Sequence, residues 1–233
     1  MDLKIESLFK IPENDMPINV TNKTKKRIVN KPLNRQKLIQ ATLDTIVEVG
    51  IENTSVSQIL GKAQLSRGMI NLHFSNKEAL LLEALKSHSQ LYYQSWFENL
   101  NKVKTKSPAL RLEAIIKSDL DACILNKDYI VVWYEFRGKA RTNNSYRKYT
   151  DTRDKLYRDV YYKVCSELVK NESLKNTISK NVAHGVIAML EGMWIDFYLH
   201  SDSFNRDSAK KTLFIFLSSI FPDQFTCKGA VKP

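Results

Sequence analysis

The sequence predicts an all-α protein organised around a helix-turn-helix near its N-terminus. Three observations carry that prediction. Residues 55–78, SVSQILGKAQLSRGMINLHFSNKE, read as two short helices around a tight turn, followed by the start of a third. Apolar residues recur at helical spacing along the rest of the chain, with no sustained strand-like alternation. Only 7 Gly and 6 Pro occur in 233 residues, few for a chain rich in turns and loops.

Residues 1–31 read as a flexible basic extension, because Pro12, Asn14, Pro17 and Asn22 interrupt any long helix. Its basic run, residues 21–27, is either a solvated tail or an arm that adds phosphate contacts. A first helix is expected from Asn34 to Val49, with Ile39, Leu43, Ile46 and Val47 on one face, Asn34 as its cap and Gly50 as its stop. Ser55 and Ser66 are placed to cap the two short helices. Val56, Ile59, Leu60 and Ala63 form the inward stripe of one, and Ile70 and Phe74 that of the other. Arg67, Met69, Asn71 and Leu72 are left for the outward face of the second short helix, a form suited to a DNA major groove. A long helix follows from Asn76 to about Asn101, and Lys102 to Pro108 is a charged break. Further helical patterns cover residues 109–125, 128–141, 145–171, 174–200 and 206–221, and residues 222–233 read as a fraying tail.

The net charge of +11 is unevenly placed. Residues 21–77 hold ten Lys or Arg against three acids, so most of the excess coincides with the helix-turn-helix. A polyanion, and double-stranded DNA in particular, is the partner this favours. Cys123, Cys165 and Cys227 are widely spaced with no CxxC, which argues against a disulfide framework or zinc site and for a reducing compartment. The N-terminus lacks the apolar run of a signal peptide. The apolar stretch from Val186 to Leu199 is interrupted by Glu191 and Asp196 and is too short to span a bilayer. His73, His88, His184 and His200 form no metal-binding spacing, and neither a GxSxG nor a glycine-rich phosphate loop is present. The expectation is a cytoplasmic protein that is not an enzyme, with no cofactor, metal or membrane partner.

Residues 35–82 resemble the DNA-binding domain of TetR-family transcriptional regulators. The resemblance is carried by Val49-Gly50, Thr54-Ser55-Val56, Leu65-Ser66-Arg67-Gly68, His73-Phe74 and Asn76-Lys77-Glu78. A weaker match, Leu190-Glu191-Gly192-Met193-Trp194, is similar to the BetI-like branch, regulators of choline and betaine metabolism. The resemblance implies about nine helices, with residues 32–78 as the DNA-binding head and 79–221 as a regulatory and dimerisation body. Arg67 is the candidate for bidentate guanine contact, Asn71 for adenine or phosphate, and Met69 for a thymine methyl, with Gly68 allowing close approach. Thr54, Ser57, Ser66, His73 and Lys77 are the candidates for backbone contact. Gln64, Leu60 and Asn71 depart from the family's commoner Gly, Ala and Tyr.

The resemblance also implies a homodimer formed by the last two helices, for which Leu213, Phe216, Leu217 and Ile220, and Val186, Leu190, Trp194 and Phe197, are the expected stripes. It implies a small-molecule inducer as well. Trp133, Tyr134, Glu191, Trp194 and Tyr198 combine aromatic faces with carboxylates, a chemistry suited to a quaternary ammonium such as choline. Another small ligand, or an ordinary aromatic core, would use the same residue types. A non-specific basic nucleic-acid binder without a ligand is the alternative reading.

Overall fold

The computed structural model describes residues 22–103, 107–169 and 175–232. Its elements in order are α1 (Asn22–Asn53), α2 (Val56–Ala63), α3 (Gly68–His73), α4 (Lys77–Lys102), α5 (Pro108–Asp119), α6 (Lys127–Ala140), α7 (Asn144–Leu168), α8 (Lys175–His200), α9 (Arg206–Ile220), β1 (Phe225–Thr226) and β2 (Gly229–Ala230). The all-α expectation and the nine helices hold among the described residues.

The local signals at the head act as the sequence suggests. Ser55 accepts from the Gln58 amide while the Gln58 side chain accepts from the Ser55 amide, a reciprocal capping box that starts α2. Gln64 ends it in the left-handed region, at φ 55°. Asn76 caps α4 by accepting from the Ala79 amide at 2.8 Å.

Three expectations are corrected. The first helix begins at Asn22 instead of Asn34 and carries Pro32 inside it, at the loss of one amide hydrogen bond. The part of the extension before Asn22 lies outside the described residues. Gly50 does end the regular first helix: at φ 77° and ψ 161° it is non-helical, and only a short further turn runs beyond the kink to Asn53. Ser66 does not cap α3 with its hydroxyl; the Met69 amide bonds to its carbonyl instead, at 2.9 Å. Residues 222–233 do not fray over their described part: β1 and β2 pair antiparallel, Phe225 is buried, and the Ala230 amide donates to Glu113 Oε2 at 2.7 Å.

Two apolar cores form. The larger fills the body with Tyr92 and Trp96 of α4, Leu112 and Ile116 of α5, Tyr161 and Val164 of α7, and inward faces of α8 and α9. The smaller holds Leu38, Ile46, Ile59, Leu60, Ile70 and Phe74 of the head together with Leu81 and Leu85 of α4. Val132, Phe136 and Ala140 of α6 and Tyr146 of α7 also belong to it, so the head is packed partly by body helices.

The stripes expected to dimerise face inward: Val186, Leu190, Trp194, Phe197, Leu213 and Leu217 are all buried within the chain, while Phe216 and Ile220 are half-buried. Phe216 lies against Gly185, where a β-carbon would sit 3.0 Å from the ring. The outward apolar residues on these helices are Ile195, Tyr198, Leu199 and Ile215. Thr177–His200 is long and apolar enough by composition to cross a membrane, longer than the sequence reading allowed. Packing accounts for its apolarity, since Val182, Val186, Leu190 and Trp194 sit in the body core.

The left-handed Gln64 gives a direct test of the turn. Gln64→Gly should raise stability by up to about 1 kcal/mol, because glycine reaches positive φ without a β-carbon clash. Denaturant midpoints of the two proteins measure it, and an unchanged or lower midpoint would show that the turn is not strained.

Candidate nucleic-acid interface and cavity

The helix-turn-helix has little internal strength, since α2 spans 8 residues and α3 only 6. Its placement comes from Ile59, Leu60, Ala63, Ile70 and Phe74, which anchor both helices on α1 and α4. The outward surface then consists of Ser57, Ser66, Arg67, Gly68, Asn71 and Leu72, all exposed. Arg67 forms no ion pair or hydrogen bond among the described residues. A β-carbon on Gly68 would meet nothing within 4 Å. Met69 and Lys77 are half-buried, Met69 against the head core and Lys77 at the first position of α4.

Two of the expected contacts are placed differently. Thr54 is only 1% exposed, and its hydroxyl donates to the Gly50 carbonyl at 2.8 Å, which closes the end of α1. His73 is half-buried, and its Nε2 finds no partner among the described residues. Burial first, and then the charges of Lys31 and Arg35, hold its pKa below the ordinary imidazole value. At neutral pH the lowered pKa favours the uncharged ring.

The head is joined to the body at the Gly50 kink. The kink frees the Ile51 amide from the helical ladder, and that amide donates to Glu135 Oε2 of α6 at 2.8 Å. Lys139, one turn further along α6, pairs with Glu52 at 2.7 Å. Tyr146 of α7 donates to Glu78 Oε2 at the start of α4, also at 2.7 Å. Glu135 follows Trp133 and Tyr134 directly in sequence, but the helix turns it toward the head.

The other side of α6 faces a cavity of about 210 Å³. Trp133, Tyr134, Glu191 and Trp194, four of the five sequence candidates, line it. Tyr198 does not: it is 44% exposed and rests its ring against Tyr134, with centroids 5.1 Å apart. Sequence reasoning missed Tyr92 and Tyr93 of α4 and Arg137 of α6. It also missed Asp154, Tyr157 and Arg158, which α7 contributes. The rings of Tyr92, Trp133 and Trp194 form an angular set, with Trp133 and Trp194 5.5 Å apart at 70° and Tyr92 and Trp194 5.8 Å apart at 89°. Arg137 stacks over Trp133 at 4.8 Å and pairs with Asp154 at 2.9 Å. Asp154 nonetheless has its pKa raised: burial outweighs Arg137, and the charge of Glu191 adds to the effect.

Beneath the cavity floor lies Asp119, fully buried. Tyr157 and Tyr161 donate to its Oδ2 at 2.9 and 2.5 Å, and Tyr92 donates to Oδ1. Trp194 Nε1 donates to its backbone carbonyl at 2.9 Å. Burial lifts the carboxyl to about pKa 6, against the lowering effect of the tyrosine hydrogen bonds. No cluster of His, Cys, Asp and Glu suited to a metal ion occurs among the described residues.

Residues 38–84 match the model of the bacterial regulatory proteins of the tetR family, and residues 108–222 match that of the BetI-type transcriptional repressor, C-terminal. The chain belongs to the TetR family of transcriptional regulators, and its body is of the BetI type. Among its relatives, the HTH-type transcriptional regulator BetI of Pectobacterium carotovorum subsp. carotovorum is 29% identical over 182 residues, 77% of this chain and 89% of that one. BetI of Proteus mirabilis is 29% identical over 189 residues, 79% and 90% of the two chains. A transcriptional regulator from Pseudomonas aeruginosa PAO1 shares the fold at TM-score 0.70 and 20% identity, covering 81% of this chain and 90% of that one. A transcriptional regulator from Saccharomonospora viridis, solved in complex with choline, aligns at TM-score 0.66 and 19% identity, covering 80% and 96%. The TetR member described here is thus a DNA-binding regulator of a repressor family, with a helix-turn-helix head and a helical body.

The Glu135 contact can be tested by removal. Glu135→Ala should cost about 1–3 kcal/mol, because the Ile51 amide loses its acceptor in a part-buried site. Glu135→Gln, which keeps an acceptor oxygen, should cost less. Urea unfolding curves compare the three proteins, and equal stabilities would show that the amide has another partner.

Proposed function

We propose that this TetR member is a cytoplasmic homodimeric repressor, released from its operator by a small cation bound in the cavity. The observation that carries this is the double duty of α6. Trp133, Tyr134 and Arg137 line the cavity, while Val132, Glu135, Phe136 and Lys139 hold the head. A ligand that moves α6 must therefore act on the head as well. Each 1.4 kcal/mol of preference for the displaced state weakens operator binding about tenfold.

In this reading α3 enters the major groove. Arg67 reads a base, Asn71 and Met69 flank it, and Ser57, Ser66 and Lys77 touch backbone. Thr54 and His73 support the unit from within. A second copy docks on the outward apolar residues of α8 and α9, Ile195, Leu199 and Ile215. The ligand class follows from the rings of Tyr92, Trp133, Tyr157 and Trp194, whose faces suit an alkylammonium that cannot donate hydrogen bonds. The structural neighbour that carries choline supports choline as the first compound to try.

The test is binding to genomic fragments, including the gene's own upstream region, at fixed salt with and without choline. A discrete palindromic site released by choline supports the whole reading. Equal affinity for all fragments would leave a non-specific basic binder. On the discrete site, Arg67→Ala should cost about 1–3 kcal/mol and relax preference at one position. Lys77→Ala should weaken binding uniformly and reduce the slope of log K against log salt by about 1. For the dimer, Leu199→Asp with Ile215→Asp should yield a monomer in analytical ultracentrifugation; an unchanged mass would move the interface elsewhere.

A further inference from the structure

Asp119 is a fully buried carboxylate with no cation beside it. Three tyrosine hydroxyls donate to its carboxylate, the Trp96 indole N–H lies beside it, and no Lys, Arg or His pairs with it among the described residues. Buried charges are ordinarily paired, because an isolated one is strongly disfavoured in a low-dielectric interior. Here the missing partner has a place to be. Tyr92 and Tyr157 each donate a hydroxyl to Asp119 and present their rings to the cavity, so one aromatic layer separates the carboxylate from it.

The other charges around the cavity balance. Arg137 is paired with Asp154, and Arg158 and Glu191 are one cation and one anion on the same lining. With Asp119 ionised, the group as a whole carries one unmatched negative charge. We propose that Asp119 is the counter-charge for the cationic ligand of this cavity, acting through Tyr92 and Tyr157 without touching it. This rests on the reading of the cavity as the inducer site. The hydroxyls that donate to a carboxylate also leave their rings richer in electrons, which strengthens the attraction of their faces for a cation. Asp119 is thus a specificity-determining residue: it separates a cation from an uncharged molecule of the same shape.

The arrangement also couples ligand binding to a proton. Because Asp119 titrates near pH 6, it is charged at neutral pH and becomes neutral as pH falls. A cation favours the ionised form, so binding near pH 6 must release protons. Other titratable and charged groups surround Asp119 and the cavity. From α4, Tyr92 is held far above its ordinary pKa by burial, and His88, kept at about pKa 3 by burial, stays uncharged. From α6, Tyr129 is likewise raised, and Arg137 is paired with Asp154. From α7, Tyr157 and Tyr161 are raised by burial and Arg158 lies on the lining, while Asp154, itself raised by burial, and, from α8, Glu191 are the remaining carboxylates.

Calorimetry on the full chain tests this, with choline and its uncharged carbon isostere dimethylbutanol as probes. Two buffers of different ionisation enthalpy report the protons released. Choline affinity should fall on the order of threefold from about pH 7.5 to about pH 5.5, with proton release near pH 6, while dimethylbutanol shows neither. Asp119→Asn should weaken choline on the order of tenfold at neutral pH, abolish the pH dependence and leave dimethylbutanol unchanged. That variant is expected to fold, since it removes a charge whose burial opposes stability above pH 6. Tyr161→Phe, which removes a hydrogen bond to Asp119 but no cavity wall, should move the loss of choline affinity to higher pH. Equal choline binding by Asp119→Asn and the parent would overturn the proposal. So would loss of the pH dependence in Glu191→Gln instead, or no binding of choline or tetramethylammonium at either pH. If choline binds with the expected proton release yet leaves operator binding intact, the inducer reading fails while the counter-charge stands.

Discussion

The bond from the Ile51 amide to Glu135 is the contact on which the relation of head to body depends. It exists because Gly50, at φ 77°, breaks the ladder of α1 and leaves an amide that needs an acceptor. The acceptor is on α6, and helical periodicity then fixes the rest. Residues 132, 136 and 140 fall on one face and enter the head core; 133 and 137 fall toward the cavity; 135 and 139 meet the end of α1. A helix clamped on these sides cannot be displaced on one without disturbing the others, since close-packed interiors transmit small shifts.

What could be read from the sequence divides along the range of the interaction. Ser55 as the cap of α2 and Asn76 as the start of α4 rest on contacts within four residues, and both were legible, while Gln64 stood out only as a departure from the family's glycine. The roles of Ser66, Thr54 and His73 were not legible. Ser66 stands at a cap position by spelling, but the turn turns its carbonyl to the task. Thr54 and His73 are polar residues near a surface motif, and only the packing of the neighbouring elements decides that they point inward. The stripes of α8 and α9 show a related limit. Periodicity reveals that a face is apolar, but not whether the same chain or a second copy covers it.

The cavity shows the same divide. Trp133, Tyr134, Glu191 and Trp194 were legible as aromatics with a carboxylate near by, on two helices of suitable length. Tyr198 shares the face of Trp194 one turn on, yet lies past the cavity's end, because spacing along a helix says nothing about where a hollow stops. Asp119 and its tyrosines left no signal at all. They are 27, 38 and 42 residues apart in sequence, and the helix expected to run to residue 125 instead ends at Asp119. Asp121, two residues on, is an exposed turn residue that accepts from the Cys123 amide. Nothing in the local spelling distinguishes the two aspartates; only the fold buries one of them.

The helix-turn-helix and the cavity therefore share their supports. A cut between residues 78 and 79 passes through the smaller core, because Leu81, Leu85, Phe136 and Tyr146 lie beyond it. The six residues of α3 take their orientation from that core and not from their own ladder. Helix α7 joins Tyr146, which holds Glu78, to Tyr157 and Tyr161, which hold Asp119, on one continuous rod. Helix α6 does the same from Glu135 to Trp133. On the proposed reading, a ligand or a proton that shifts one end of these helices also shifts the other. The coupling is reciprocal: if an occupied cavity weakens the grip on DNA, then bound DNA weakens the hold on the ligand by the same factor.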